Sequence, residues 1–136
     1  MKKKNIHVAC AVIERNGLVL VAQRSIAMSL PLKWEFPGGK IERGEIPEEC
    51  LCREIVEELG VNIEVSRPLQ PTRHEYPDLM VTLYPFICST TTEEITVNEH
   101  EAVLWLPPHR LHELDWAEAD LPVLASYCRQ LKEVRG

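Results

Sequence analysis

The apolar positions of this chain change period along its length, and the changes divide it into elements. His7 to Glu14, rich in Val, Ala and Ile, reads as a strand. Asn16-Gly17 is a tight hairpin turn, and Leu18-Val19-Leu20-Val21-Ala22 returns as a second strand ending at Gln23-Arg24. Ser25 to Lys33, with Pro31, is a loop. Trp34-Glu35-Phe36 is a short strand that runs into Pro37 and a Gly38-Gly39 turn able to bring backbone close to a ligand. Trp34 and Phe36 are expected to alternate across that strand, Trp34 toward the core and Phe36 toward a ligand.

From Pro47 the period becomes helical. Pro47 suits the first turn, where its missing N–H costs nothing, and Gly60 is placed to end the helix in a left-handed cap. Successive side chains turn by about 100°, so Leu51, Cys52, Ile55, Val56 and Leu59 form an apolar arc suited to docking on a sheet. Beyond it, Val61 to Val65 alternates with period two and reads as a strand. Leu69–Tyr76 and Leu79–Cys88 form a hairpin around Pro77-Asp78, with Pro85 marking an edge or a bulge. Ser89 to Glu94 is a polar loop, and Ala102 to Leu106 a strand stopped by Pro107-Pro108. His109 to Leu114 holds a short helical turn. Leu121 to Val134 is a C-terminal helix with Asp120 as N-cap, Pro122 in its first turn, and Val123, Leu124, Tyr127, Cys128 and Leu131 inward. Strands on both sides of one helix, with a second helix at the end, predict an α/β fold: a mixed sheet packed between helices.

At 136 residues the chain is expected to form one domain, residues 1–136, with a real core. A net charge of −6 with no basic stripe argues against binding a nucleic-acid polymer. Met1-Lys2-Lys3-Lys4 is basic but lacks the apolar region of a signal peptide, and no apolar run approaches the ~20 residues of a membrane span. Cys10, Cys50, Cys52, Cys88 and Cys128 include no C-x-x-C pair and read as reduced thiols of a cytoplasmic protein.

The chemistry lies on the first helix. Glu54 and Glu58, four apart, share one face with Glu57 beside them, and Arg53 can pair with Glu57. At about 6 Å and an effective dielectric near 20, each carboxylate pair costs roughly 3 kcal/mol. A divalent cation reverses that sign, and hard oxygen ligands suit Mg²⁺, which also takes substrate phosphate.

Gly39, Glu45, Arg53, Glu54, Ile55, Glu57, Glu58, Gly60 and Val61 fill every specified position of the Nudix hydrolase signature. A chance match is on the order of one in ten million or rarer, so the resemblance carries weight. Ile46 departs from relatives with a capping Ser or Thr there, a loss of ~1 kcal/mol that leaves the carboxylates untouched. The resemblance implies a Nudix-type α/β/α sandwich. It assigns Glu54, Glu57 and Glu58, with the Gly38 carbonyl, to Mg²⁺ or Mn²⁺, and gives Arg53 and Glu45 the task of holding loop and helix.

Trp34 to Glu42, with Gln23-Arg24 upstream, resembles the MutT-type branch, which cleaves nucleoside triphosphates to monophosphate and pyrophosphate. That likeness implies a nucleoside triphosphate substrate contacted by Arg24, Ser29, Glu35, Phe36, Pro37, Gly38 and Asp120, with Glu99 a loop carboxylate near the metal. Asp120 stands where the 8-oxo-dGTP sanitising enzyme has Asn and cytidine triphosphate pyrophosphohydrolases have Asp. An ionised Asp only accepts hydrogen bonds, which favours cytosine or oxidised guanine over uracil and thymine. The implied activity is 8-oxo-dGTP sanitation, with CTP, dCTP or 5-methyl-dCTP hydrolysis as the alternative. A non-catalytic nucleotide-sensing module is the other class, and the intact signature argues against it. His7, His74, His100, His109 and His112 show no triad or zinc spacing and read as ordinary surface or core residues.

Overall fold

The computed structural model describes residues 3–135, so Met1 and Lys2 of the basic N-terminal run lie outside them. Strand β1 covers Lys4–Arg15 and turns through Asn16 (φ 52°) and Gly17 (φ 77°) into β2, Leu18–Gln23. Two left-handed residues are what a two-residue hairpin needs to match strand twist. β3 (Trp34–Glu35) pairs with the end of β2, and β4 (Gly38–Lys40) pairs antiparallel with Val8–Cys10 of β1. The glycine pair is therefore a strand and not a turn, and neither glycine has a positive φ. What demands Gly38 is close approach: a Cβ there would strike the Ala9 carbonyl.

Helix α1 spans Pro47–Leu59, with Pro47 in the first turn and Gly60 in a left-handed cap (φ 65°), as predicted. Ile46 gives no capping bond. The buried face is Cys50, Leu51, Ile55 and Leu59, while Val56 is 48% exposed and Cys52 only partly covered. The predicted arc was thus rotated: Cys50 belongs in it because its thiol faces the Lys40 carbonyl, 3.3 Å away beneath β4. Each of the buried Leu and Ile side chains contributes ~1.5–3 kcal/mol of apolar burial.

The strand expected at Val61–Val65 begins later, as β5, Glu64–Pro68. Val61 is instead fully buried beside α1, so its burial comes from helix packing and not from strand alternation. β6 is short (Thr72–Glu75), and β7 runs Leu79–Ser89. β7 pairs with β1 in parallel on one side, from Lys4↔Leu79 to Glu14↔Ser89, and with β5 and β6 antiparallel on the other. Pro85 is therefore not on an edge strand. Its carbonyl accepts from Leu69 N–H in the gap between β5 and β6. N–H and C=O of one strand residue point the same way, so the missing donor falls in that gap and the β1 ladder is intact.

β8, Ala102–Leu106, pairs with β2, and α2 covers Leu121–Arg135 after 3₁₀ turns at Pro108–Glu113 and Glu118–Asp120. Alternation sorts the core. Ala9, Ala11, Ile13, Leu20, Phe86 and Cys88 face α1, whereas Cys10, Val12, Val19, Val21, Leu83 and Ile87 face Val123, Leu124 and Tyr127 of α2. The result is the predicted mixed sheet between helices. Trp34 and Phe36, two residues apart, both pack toward the α2 side, and Phe36 lies on Trp116 with ring centroids 4.7 Å apart. Residues i and i+2 share a face, so the two do not alternate across the strand, although Phe36 also borders a cleft that Trp34 does not reach.

Candidate active site

A cleft of about 670 Å³ opens where β1, β4 and β7 end against the loops that follow β2, β6 and Thr90. Its floor is apolar, from Ile6, Val8, Val81 and Leu83, and its walls include Tyr76, Ser29, Phe36 and Gly38.

α1 delivers the carboxylates at one end. Glu54 lies against Gly39, where any Cβ would run into its carboxylate. Glu57 stands on the exposed rim. Glu58 turns inward, and its Oε2 is buried without a hydrogen-bond partner. Burial pushes the Glu58 carboxyl up to about 7, with His100 opposing and Glu54, Glu35 and Glu99 adding to the rise. Arg53 threads the cluster. Its Nε and Nη2 meet Glu45 at 2.8 and 3.0 Å, and its Nη1 reaches Glu54 at 3.0 Å and Glu57 at 3.3 Å. The fork holds the Glu45 carboxyl at about 2, and Glu45 in turn accepts from Glu42 N–H at 2.9 Å. One guanidinium thus offsets repulsion within the cluster and ties the preceding loop to the helix.

Among the described residues, no three His, Cys, Asp or Glu side chains are gathered into a finished metal cage. The donor set still suits a hard divalent ion: a buried carboxylate oxygen with no partner calls for a cation, and carboxylate is the ligand Mg²⁺ and Mn²⁺ take.

A second group lines the cleft near Glu58. Arg24 donates from Nε to the Ser29 carbonyl at 2.6 Å, from Nη2 to Ser29 Oγ at 3.0 Å and from Nη1 to Glu35 Oε1 at 2.8 Å. Glu35 Oε2 pairs with His100 Nε2 at 2.8 Å. The loop Arg24 braces carries Leu30 and Leu32 at φ 51° and 64°, a strain of roughly 1–2 kcal/mol each. Gln23 helps hold it by donating to the Leu32 carbonyl.

Asp120 closes the deep end. It is buried, and its Oδ2 accepts from Phe36 N–H at 2.8 Å. Its carboxylate therefore goes to the strand end and not to the first turn of α2, contrary to the expected N-cap. Burial pushes this carboxyl up to about 8, against the opposing Phe36 N–H. Burial thus favours the carboxylic acid, which donates as well as accepts, over the acceptor-only carboxylate expected from the sequence.

The model of the NUDIX domain matches residues 3–127. This chain belongs to the Nudix hydrolase family. An 8-oxo-dGTP diphosphatase of Proteus vulgaris is 38% identical over 97 residues, covering 71% of this chain and 87% of the relative. A CTP pyrophosphohydrolase of Escherichia coli K12 is 32% identical over 124 residues, covering 91% and 92%. Among solved structures, the MutT protein of methicillin-resistant Staphylococcus aureus 252 superposes with a TM-score of 0.74 at 42% identity, covering 91% of this chain and 95% of its own. The Escherichia coli ORF135 protein gives 0.79 at 31%, covering 93% and 91%. The chain is thus a Nudix hydrolase of MutT type.

In this Nudix hydrolase the structure brings Arg24, Ser29, Glu35, Phe36, Gly38, Glu58, Glu99 and Asp120 onto one cleft, with Glu54 behind Gly39. Glu57 and Arg53 sit at the rim, and Pro37 serves the sheet, its carbonyl accepting from Ala11 N–H at 2.8 Å. Its spacing marks His100 as an ordinary histidine, yet its side chain is 2% exposed, lines the cleft and holds Glu35. Burial acts to lower its pKa, but the Glu35 carboxylate outweighs this and the net shift is upward. Its partner lies 65 residues away, and nothing local in the sequence signals such a pair. Tyr76 was likewise read only as a strand end, and its hydroxyl accepts from Ala119 N–H beside Asp120.

Proposed function

We propose that this protein is a divalent-metal-dependent nucleoside triphosphate pyrophosphohydrolase, releasing nucleoside monophosphate and pyrophosphate, and that residues 1–136 act as one catalytic domain. One observation carries the reading: a single cleft joins the unpartnered Glu58 carboxylate to an apolar floor that ends at the buried Asp120. An anionic tail and a flat, hydrogen-bonding base are the two ends of a nucleotide, and the cleft offers a counterpart to each.

Glu54, Glu57 and Glu58, with the Gly38 carbonyl, would hold Mg²⁺ or Mn²⁺. When bound, the ion neutralises charge on the phosphates and lowers the pKa of a water. The chain's own residues do the rest. Arg53 keeps the carboxylates in register with the Glu45 loop. Ile6, Val8, Val81 and Leu83 exclude water from the base. Arg24 fixes the loop that carries Ser29, and Glu99 presents a carboxylate at the mouth for metal or proton.

The base reading starts from Asp120. As an acid it offers one donor and one acceptor, a pair met by the O6 acceptor and N7–H donor of oxidised guanine and equally by N3 and the N4 amino group of cytosine. We favour 8-oxo-dGTP and nucleotide-pool sanitation in line with the name of the Proteus vulgaris relative. CTP, dCTP or 5-methyl-dCTP is the second reading, supported by the CTP pyrophosphohydrolase relative and by the N4 amino group of cytosine, which a carboxyl accepts.

A hydrolysis panel of 8-oxo-dGTP, CTP, dCTP, 5-methyl-dCTP, UTP and dTTP with Mg²⁺, read by phosphorus NMR, tests the proposal. Monophosphate and pyrophosphate should be the primary products, and excess chelator should abolish them. Glu58→Gln should lower kcat by on the order of a hundredfold or more while leaving the fold intact. Orthophosphate plus diphosphate, or turnover undiminished by chelator, would overturn the reading.

A further inference from the structure

Glu99 lies on an irregular loop running from Thr90 to Glu101. A carboxylate on such a segment keeps its place only where the loop itself is tied down. Its first part is held through Thr90 and Thr92 to Asn62, and four further hydrogen bonds tie the part from Thr96 to Glu101 that carries Glu99. Thr96 N–H donates to the Leu59 carbonyl at 2.9 Å and Glu101 N–H to the Gln23 carbonyl at 2.8 Å. Between these backbone anchors, Asn98 Nδ2 donates to the Glu57 carbonyl at 2.8 Å and His100 Nε2 meets Glu35 Oε2 at 2.8 Å. The two side-chain bonds come from the residues immediately before and after Glu99.

Each bond has a chemical reason. The Glu57 carbonyl is among the last four of α1, which lack helical partners, and the last turn has no basic side chain to serve them. The Asn98 amide fills that need and thereby joins the loop to the helix of Glu54, Glu57 and Glu58. On the other side, Glu35 divides its two oxygens between Arg24 and His100. The imidazole Nδ1 is buried without a partner, so the bond to Glu35 is the contact that orients the ring.

We propose that Asn98 and His100 are positioning residues that bracket Glu99, pinning its loop to α1 on one side and, through Glu35, to the Arg24–Ser29 loop on the other. The inference rests on the reading of Glu99 as a carboxylate of the hydrolytic site.

Three variants of His100 separate a placed donor from simple space filling. Gln carries its amide nitrogen at about the reach of Nε2, Asn carries it one bond short, and Leu carries none. His100→Gln should retain most of the parent kcat on the best nucleotide. His100→Asn and His100→Leu should lose about tenfold to a hundredfold, as expected for a misplaced catalytic group, with KM within about threefold because Arg24 still holds Ser29 and Glu35. Asn98→Asp, which turns a carboxylate on the Glu57 carbonyl, should behave like His100→Asn. In a Glu99→Gln background, His100→Asn should cost less than about twofold more, the mark of two residues acting as one unit.

Amide exchange at Thr96 and Glu101 gives a readout without substrate. Their exchange should quicken about tenfold in the Asn and Leu variants and stay at the parent rate in Gln. Equal kcat across Gln, Asn and Leu, losses that multiply with Glu99→Gln, or unchanged exchange in all three would each overturn the bracket. A parent protein inactive on every nucleotide, with the exchange pattern as expected, would overturn the proposed function and leave the loop anchoring established.

Discussion

Replacing Asp120 by Asn removes one titrating group from the interior and leaves its shape. Asp120 is 7% exposed, and burial holds its carboxyl at about 8, against an ordinary 3.8. A folded-state pKa raised in this way makes a contribution to stability that is fully present below the unfolded value of 3.8. It is lost as pH rises toward 8, because the unfolded chain ionises while the folded one does not. Each pH unit in that window is worth ~1.4 kcal/mol, so the parent should lose on the order of 2–3 kcal/mol through this group between pH 5 and 7. Asn keeps an acceptor for Phe36 N–H and does not titrate. The stability difference, Asp120→Asn minus parent, should therefore widen by that amount over the same two units and level off above about pH 8. Urea unfolding followed by tryptophan fluorescence measures it, since Trp116 stacks on Phe36, and the difference cancels the carboxyls and histidines common to both proteins. Parallel pH curves for the two proteins, or a parent that gains on the variant as pH rises, would refute a buried, neutral Asp120.

Two adjacent glycines should fail in different ways. Gly38→Ala drives a Cβ into backbone, the Ala9 carbonyl, and should cost about 2–3 kcal/mol of stability in thermal or urea unfolding. Gly39→Ala meets the Glu54 side chain and not backbone among its nearest atoms, so stability should change by less than about 1 kcal/mol while kcat falls on the order of a hundredfold. Ile46→Thr supplies the capping oxygen that α1 lacks and relieves an exposed Ile, and should raise stability by ~1 kcal/mol without altering kcat.

The local devices were legible because short stretches of sequence determine them. Asn16-Gly17, Pro47, Gly60 and the Arg53–Glu57 pair all stand where the pattern puts them, and so does the sheet between two helices. The face of α1 was misjudged by a fraction of a turn because β4 lies over Cys50, and β4 exists only through its pairing with β1. The same dependence hid the role of Pro85, whose lost donor is harmless only because β5 and β6 part beside it. At the site, the shared face of the α1 carboxylates follows from residue type and spacing, whereas the Arg24–Glu35 pair is seen only in the fold. The His100–Glu35 bond and the burial of Asp120 do not follow from spacing either, since both depend on residues remote in the chain.

The long parallel seam between β1 and β7 has a consequence for how this enzyme is made. Its paired residues lie about 75 positions apart in the chain, and closing so wide a loop is slow compared with forming a hairpin or a helix. The β1–β2 hairpin and α1 draw on contacts close in the chain, so the spacing of the acidic cluster does not need the seam. The apolar floor cannot, because Ile6 and Val8 come from one side of the seam and Val81 and Leu83 from the other. On the function proposed above, affinity for the base is then a property of the completed fold alone. A nucleotide at a hundred times its Kd adds about 2.7 kcal/mol against global unfolding, and that protection reaches the buried amides of β1 and β7 as fully as the residues it touches.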